Sequence, residues 1–352
     1  MPSIKKNFLY SSILTTANYI FPFLTYPYVS RVLGVNNIGI CNFVDSVVNY
    51  FILFSMMGIN IVGIREIAKV KNDKENLNRT FNSLFLINTI STTIVLVAFA
   101  ASVFFIPKLY EYKELMLFGA LKLIFNYLNI EWLYKGLENF KYITVRSVLV
   151  KCCYVIAVYI FIHDRNDYIL YYAFLCGIIV INGLINISYS RKFVRFTYHA
   201  LNFRPFICPL LTLGLYMFLT SMYTSFNVAY LGFTSGEIEV GYYTTATKLY
   251  SILLSLFSAF TGVLLPRMSS LISENKIDAF KQLLRKSVDI LFAFAFPLVL
   301  FSVVLAPQII SVISGNGYQG AILPMRIVMP LMLIIGYEQI LVIQTMMPLK
   351  ED

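Results

Sequence analysis

Charge is scarce in this sequence. Asp, Glu, Lys and Arg make up 13% of its 352 residues, whereas apolar residues make up 58%. Soluble domains carry about 25% charged residues. A water-soluble fold of this length has no interior large enough for so much apolar surface, but bilayer hydrocarbon accepts it. Histidine is scarcer still, with only His163 and His199. The five cysteines, Cys41, Cys152, Cys153, Cys176 and Cys208, lie in or beside apolar runs without metal-ligand spacing. They read as small packing residues, and neither a metal nor a cofactor is expected. A nucleotide-binding glycine loop is missing. Gly34-Val35-Asn36-Asn37 and Gly315-Asn316-Gly317 read as turns. No long polar loop is present to hold catalytic groups, so a membrane-embedded polymerase or ligase is a poor reading, and the chain is not expected to be an enzyme.

The net charge is +10. The cations are dispersed among short segments between apolar runs, so they signal topology rather than a nucleic-acid partner. The apolar runs number about ten: 8–30, 38–62, 81–106, 115–135, 143–162, 168–189, 206–231, 241–265, 287–306 and 321–346. Each suits a helix across a bilayer, and each is too long for a barrel strand. The fold class expected is an all-α integral membrane protein, a polytopic bundle with two pseudo-symmetric lobes. The first run follows Lys5 and Lys6 without a small-residue cleavage site, so it is expected to stay as the first span. With the N-terminus in the cytoplasm, 20 of the Lys and Arg residues fall on cytoplasmic segments, Lys276 and Lys350 among them, and 4 on outer loops. That bias predicts a multi-pass membrane protein with its N-terminus inside. Ser273–Lys286 has Ile277, Phe280, Leu283 and Leu284 at helical spacing beside three cations. It reads as a surface helix on the inner leaflet or a loop helix packed on the bundle.

An internal repeat organises the chain. Leu33-Gly34 before Gly39 parallels Leu231-Gly232 before Gly241. Arg65 and Arg267 follow Gly39 and Gly241 by the same 26 residues, and Pro107 and Pro307 open matching loops. Leu121-Lys122-Leu123 matches Met325-Arg326-Ile327. Spans 1–4 therefore correspond to spans 7–10. The offset of six spans makes the repeat parallel, about an axis along the membrane normal. The expected lobes are residues 1–190, spans 1–6, and residues 191–352, spans 7–10, the second two spans short of the first.

Charges inside spans are costly, at least about 2.5–3.5 kcal/mol each at the bilayer centre. They are Asp45, Lys122, Lys151, Lys248, Arg326 and Glu338, with Glu131 and Asp289 nearer the ends. Polar residues extend them into stripes: Asn42, Asp45 and Asn49; Lys122, Asn126 and Asn129; Thr244, Lys248, Ser251, Ser255 and Ser258; and Ser11, Thr15, Asn18, Pro22 and Thr25. Snorkelling to headgroups and helix–helix hydrogen bonding compete with a water-filled lumen as explanations. The expectation is a cationic lumen in which Lys122, Lys248, Arg326 and Lys151 bind substrate. Asp45, Asn42, Asn49, Asn18 and Glu338 would supply polar lining or ion coupling. Four cations against two carboxylates suit an anionic substrate such as a phosphate. A pump for cationic drugs would want the reverse.

Several segments resemble the O-antigen (Wzx-type) flippases of the multidrug/oligosaccharidyl-lipid/polysaccharide exporter superfamily. They are Pro22-Phe23-Leu24-Thr25-Tyr26-Pro27-Tyr28 with Arg31-Val32-Leu33-Gly34, Glu131-Trp132-Leu133-Tyr134-Lys135-Gly136-Leu137-Glu138, and Gly241-Tyr242-Tyr243 with Lys248 and Leu265-Pro266-Arg267. The resemblance spans essentially the whole chain. It implies two six-helix lobes around a central cavity, alternating access, and transfer of a polyprenyl-pyrophosphate-linked oligosaccharide to the periplasmic leaflet. The partners implied are that lipid-linked oligosaccharide, membrane lipids, protons or sodium as coupling ions, and other polysaccharide-assembly membrane proteins. The sequence departs from the family in showing ten spans rather than twelve or more. It also has Asn227 where the seventh span often carries an acidic residue. A drug or metabolite exporter of the same superfamily and an inactive short flippase are the alternatives.

Overall fold

The computed structural model describes residues 4–197 and 201–349. Lys350 and His199 lie outside the described residues, as do the side chains of Lys5, Ser255 and Ser258. Among the described residues the structure is helical without a strand. The helices are α1 (Ile4–Met56), α2 (Ile59–Val70), α3 (Lys74–Phe105), α4 (Pro107–Glu111), α5 (Lys113–Asn126), α6 (Glu131–Gly136), α7 (Phe140–Phe161) and α8 (Tyr168–Ser190). They continue with α9 (Arg204–Thr224), α10 (Phe226–Thr234), α11 (Glu237–Ser273), α12 (Ile277–Val304), α13 (Ala306–Ser314), α14 (Ile322–Val328), α15 (Leu331–Gln339) and α16 (Met347–Leu349), with a π-helical turn between the last two.

Most residues of every apolar run fall on helix. Seven described stretches are long and apolar enough to cross a membrane, and the first of them, Leu9–Val70, holds two of the runs. The outward faces explain the composition. Phe104, Phe105, Ile94, Val97, Ile156 and Leu149 are each at least 58% exposed. Only hydrocarbon makes such a surface favourable. The chain is a multi-pass membrane protein.

Contacts divide the chain into two units. The first holds residues 1–25 and 32–240, and the second holds residues 26–31 and 241–352. In the first unit, Trp132, Tyr134, Phe81, Ile67 and Leu84 form a core at the α2–α3–α6 end, with the Trp132 ring stacked on Phe81 at 5.5 Å. Asp73 caps α3 by accepting from the backbone N–H of Glu75 and Asn76. The Asn76 backbone and side-chain bonds hold its carboxyl below the usual carboxylate range.

Three local expectations are corrected. Span 4 does not run through 115–135. Helix α5 stops at Asn126, and α6 restarts at Glu131. Between them Ile130 sits at φ −67, ψ 47, outside helical backbone. Ser273–Lys286 is not a separate surface helix. A three-residue turn, with Asn275 at φ 56, joins two long helices there. Phe280, Leu283 and Leu284 pack on Met268, Leu271 and Ile272, so that apolar face is spent inside a helical hairpin. The Leu-Gly register of the repeat also shifts. The positive-φ breaks are Gly34 (φ 75) and Gly236 (φ 93), five residues before Gly39 and Gly241 respectively. After each break the chain reaches a long helix, a short helix with Pro in its first turn and then a helix carrying Lys122 or Arg326, but the first copy is interrupted at Met57 and Gly58, where α2 is set off from α1, and α11 has no such interruption.

Candidate functional site

Asp45 anchors a polar cluster in the first unit. It lies in the part of α1 beyond Gly34, and Asn49 follows one turn later on the same face. Lys122 Nζ donates to Asp45 Oδ1 at 2.6 Å and to Asn49 Oδ1 at 2.8 Å. Asn49 Nδ2 donates to Asp45 Oδ2 at 2.9 Å. From α8, the Tyr172 hydroxyl donates to Asp45 Oδ1 at 3.4 Å. The helices come close because Gly119, one turn before Lys122, lies against Val48 and the Tyr172 hydroxyl. The Lys122 side chain is 13% exposed and that of Asp45 31%, so the pair is partly open. Each charge has its counter-charge within reach, which limits the desolvation cost. A partly open ammonium on a carboxylate can also exchange that partner for another anion. Asn42 is one turn before Asp45 and half-buried.

Lys151 on α7 donates to Asn18 Oδ1 on α1. In the second unit, Lys248 Nζ lies 4.4 Å from the centroid of the Tyr26 ring, a cation–π contact. The Tyr26 hydroxyl in turn shares a hydrogen bond with Thr245, and the Tyr318 hydroxyl donates to the Ser30 carbonyl at 3.0 Å. Arg326 on α14 is exposed, and its Nε donates to the Val303 carbonyl at 3.1 Å. Leu323 and Ile327 beside it are exposed as well, at 65% and 64%. Glu338 is exposed on α15. The structure thus brings Asp45, Asn49 and Lys122 together, and Lys151 with Asn18. Arg326 and Glu338 are not brought to each other.

A second charged network escaped the sequence reading. Arg146 on α7, one of the 20 cations counted on cytoplasmic segments, has a side chain only 3% exposed. Its Nη2 donates to Glu131 Oε1 at 2.5 Å and to Ser147 Oγ at 2.9 Å, and its Nη1 donates to Asn186 Oδ1. Asn186 Nδ2 donates to Asn129 Oδ1 at 2.7 Å, and the Tyr142 hydroxyl donates to Asn186 Oδ1 at 3.0 Å. Lys135 adds a second cation 3.2 Å from Glu131. Asn129 therefore serves this network and not the Lys122 stripe. The one sequence signal was Asn182 and Asn186 inside an otherwise apolar run. Among the described residues, no group of three His, Cys, Asp or Glu side chains is placed to hold a metal.

The family described as "Polysaccharide biosynthesis protein" matches residues 4–272. A protein of Escherichia coli (strain K12) named "Putative O-antigen transporter" is 26% identical over 356 residues, 98% of this chain and 84% of that protein. A Shigella dysenteriae protein of the same name is 27% identical over 272 residues, 76% of this chain and 68% of its own length. The fold is that of a multidrug resistance MATE family transporter of the MOP superfamily. Its inward-facing structure aligns with a TM-score of 0.71 at 16% identity, over 95% of this chain and 83% of that one. An outward-facing structure aligns with a TM-score of 0.58 at 17% identity, over 94% and 78%. The chain belongs to the polysaccharide biosynthesis protein family.

Proposed function

We propose that this protein flips a polyprenyl-pyrophosphate-linked oligosaccharide, an O-antigen or capsule repeat unit, from the cytoplasmic to the periplasmic leaflet of the bacterial inner membrane. The observation that carries this reading is Lys122 inside the bundle, held by Asp45 and Asn49 yet partly open. An ammonium already paired there can trade its carboxylate for a pyrophosphate oxygen, an exchange of one charge-assisted bond for another. Asp45, once released, is a carboxylate able to take a proton or a sodium ion, which gives substrate and ion a shared partner. Lys151, Lys248 and Arg326 supply further cations along the path of the phosphates. Asn18, Asn42, Asn49 and Glu338 supply polar groups there. Alternating access is supported by the fold, whose solved relatives include inward-facing and outward-facing forms. The cytoplasmic N-terminus is supported by the cation bias of the loops.

The fold likeness to multidrug transporters favours a second reading, export of drugs or metabolites. The surplus of in-span cations argues against cationic drugs. Proteoliposomes distinguish the two. A short polyprenyl-pyrophosphate oligosaccharide is placed in one leaflet, and its sugar is scored for exposure to an impermeant lectin on the other side. Transfer that needs this protein, and that free sugars or cationic dyes do not inhibit, is the expected result. Dye efflux without lipid transfer would overturn the proposal.

A further inference from the structure

A groove of about 520 Å³ opens between α7 and α8. That volume is in the range of ligand pockets. It lies where α7 begins and α8 ends, the cation-rich end that the charge bias places at the cytoplasm. Its wall is apolar along α7 and α8. Val145, Leu149 and Ile185 line it and are 47%, 60% and 39% exposed. Its mouth is cationic and aromatic. Lys141 lines it and is exposed, with no ion pair among the described residues. Tyr142 and Tyr189 line it too, stacked with centroids 3.9 Å apart, and Lys192 Nζ lies 4.7 Å from the Tyr189 ring centroid. Beneath them is Arg146, another lining residue, whose side chain is 3% exposed and whose buried Nε has no hydrogen-bond partner.

This order, cations and tyrosines at headgroup depth and an apolar wall below, is the pattern of a lipid phosphate site. Lys141 and Leu149 are eight residues apart, about 12 Å along the helix axis. An acyl chain would run over that distance beneath its headgroup. We infer that the groove seats an anionic phospholipid of the inner leaflet, with its phosphate between Lys141 and Lys192 and a chain along Val145, Leu149 and Ile185. The inference needs the membrane orientation but not the transported substrate, and it can be tested without transport.

Native mass spectrometry of the full chain in detergent provides the test, with dioleoyl phosphatidylglycerol, dioleoyl phosphatidylcholine and a polyprenyl phosphate as probes. The phosphatidylglycerol should be retained and the phosphatidylcholine lost. Lys141→Ala and Lys192→Ala should each weaken phosphatidylglycerol binding about fivefold, the effect of one interfacial cation. Leu149→Trp fills the apolar part and should weaken it while leaving every charge in place. Val145→Trp repeats that arm if the first variant does not fold. Equal retention of both phospholipids would overturn the inference, as would full binding by a folded groove-filled variant, which would leave only diffuse surface charge. Tighter retention of the polyprenyl phosphate would assign the groove to a carrier lipid and overturn it too.

Discussion

Lys122 and Asp45 are 77 residues apart in sequence and meet at 2.6 Å, with Asn49 bonded to both. Removing either charge leaves the other partly buried without its counter-charge. Lys122→Ala should cost about 1–3 kcal/mol of stability, and Asp45→Asn a similar amount. The double variant Asp45→Asn/Lys122→Gln should cost less than the two single losses added together. Thermal unfolding of the purified variants in detergent measures this. Strictly additive losses would show that the pair contributes no mutual stabilisation.

The Arg146 network should be less forgiving. Arg146→Met leaves Glu131 with Lys135 alone and strips Asn186 of its charged donor. Breaking a buried pair from one side costs about 3–5 kcal/mol. The expected outcome is poor membrane expression, largely recovered by adding Glu131→Gln. If Arg146→Met is expressed and melts like the parent protein, the network has no structural role.

The two clusters mark how far the sequence could be read. The helices were legible because hydropathy over 20 residues is a bulk property that survives local detail. Asp45 and Lys122 were legible as candidates because a charge within such a run needs an explanation. Their pairing was not, since nothing local links positions 77 residues apart. Arg146 was misread because it follows Lys141 near the start of α7 and was counted with the cations of a cytoplasmic segment. Its burial depends on Glu131 and Asn186, which arrive from α6 and α8. The break after Asn126 was hidden because residues on both sides are apolar. The α11–α12 hairpin was hidden because Arg267 and Lys276 resembled the ends of a loop, while the faces that close it show their complementarity only when folded.

Gly34 and Gly236 should respond alike to substitution. Both adopt positive φ at a helix break, and neither has an atom within 4 Å of the position a Cβ would take. The penalty for alanine is therefore one of backbone conformation, about 1–3 kcal/mol at each. Gly177, helical in α8 and equally unobstructed, is the control. Gly177→Ala should be neutral or stabilising by about 0.5–1 kcal/mol. Equal melting shifts for all three variants would show that the breaks are not set by glycine.

Topology follows from the cation bias. A reporter inserted at Asp167, between α7 and α8, should be active in the periplasm, and one at Lys276, between α11 and α12, in the cytoplasm. Lys276 is a stringent position because its turn is only three residues long, so the reporter reads the hairpin itself. The opposite pattern at both positions would reverse the orientation. A mixed pattern would change the span count between them.

The in-span cations give the sharpest test of mechanism. Lys122 has a carboxylate partner, Lys248 has an aromatic ring, and Arg326 has a backbone carbonyl. If each meets a phosphate during transfer, alanine at any one should lower lipid-linked oligosaccharide transport while membrane expression stays near that of the parent. Arg326 discriminates best, because its exposed position makes Arg326→Ala structurally mild. Arg326→Lys keeps the charge but loses the planar fork that binds two phosphate oxygens at once, so it should recover only part of the activity. Snorkelling predicts otherwise. An arginine that serves only to reach headgroups beside Leu323 and Ile327 would be replaced by lysine without loss. Transport and expression are measured on the same membranes, so that an unstable protein is not scored as an inactive one. Parental transport by all three alanine variants would eliminate phosphate contact by these cations. Full recovery by Arg326→Lys would confine that role to Lys122 and Lys248.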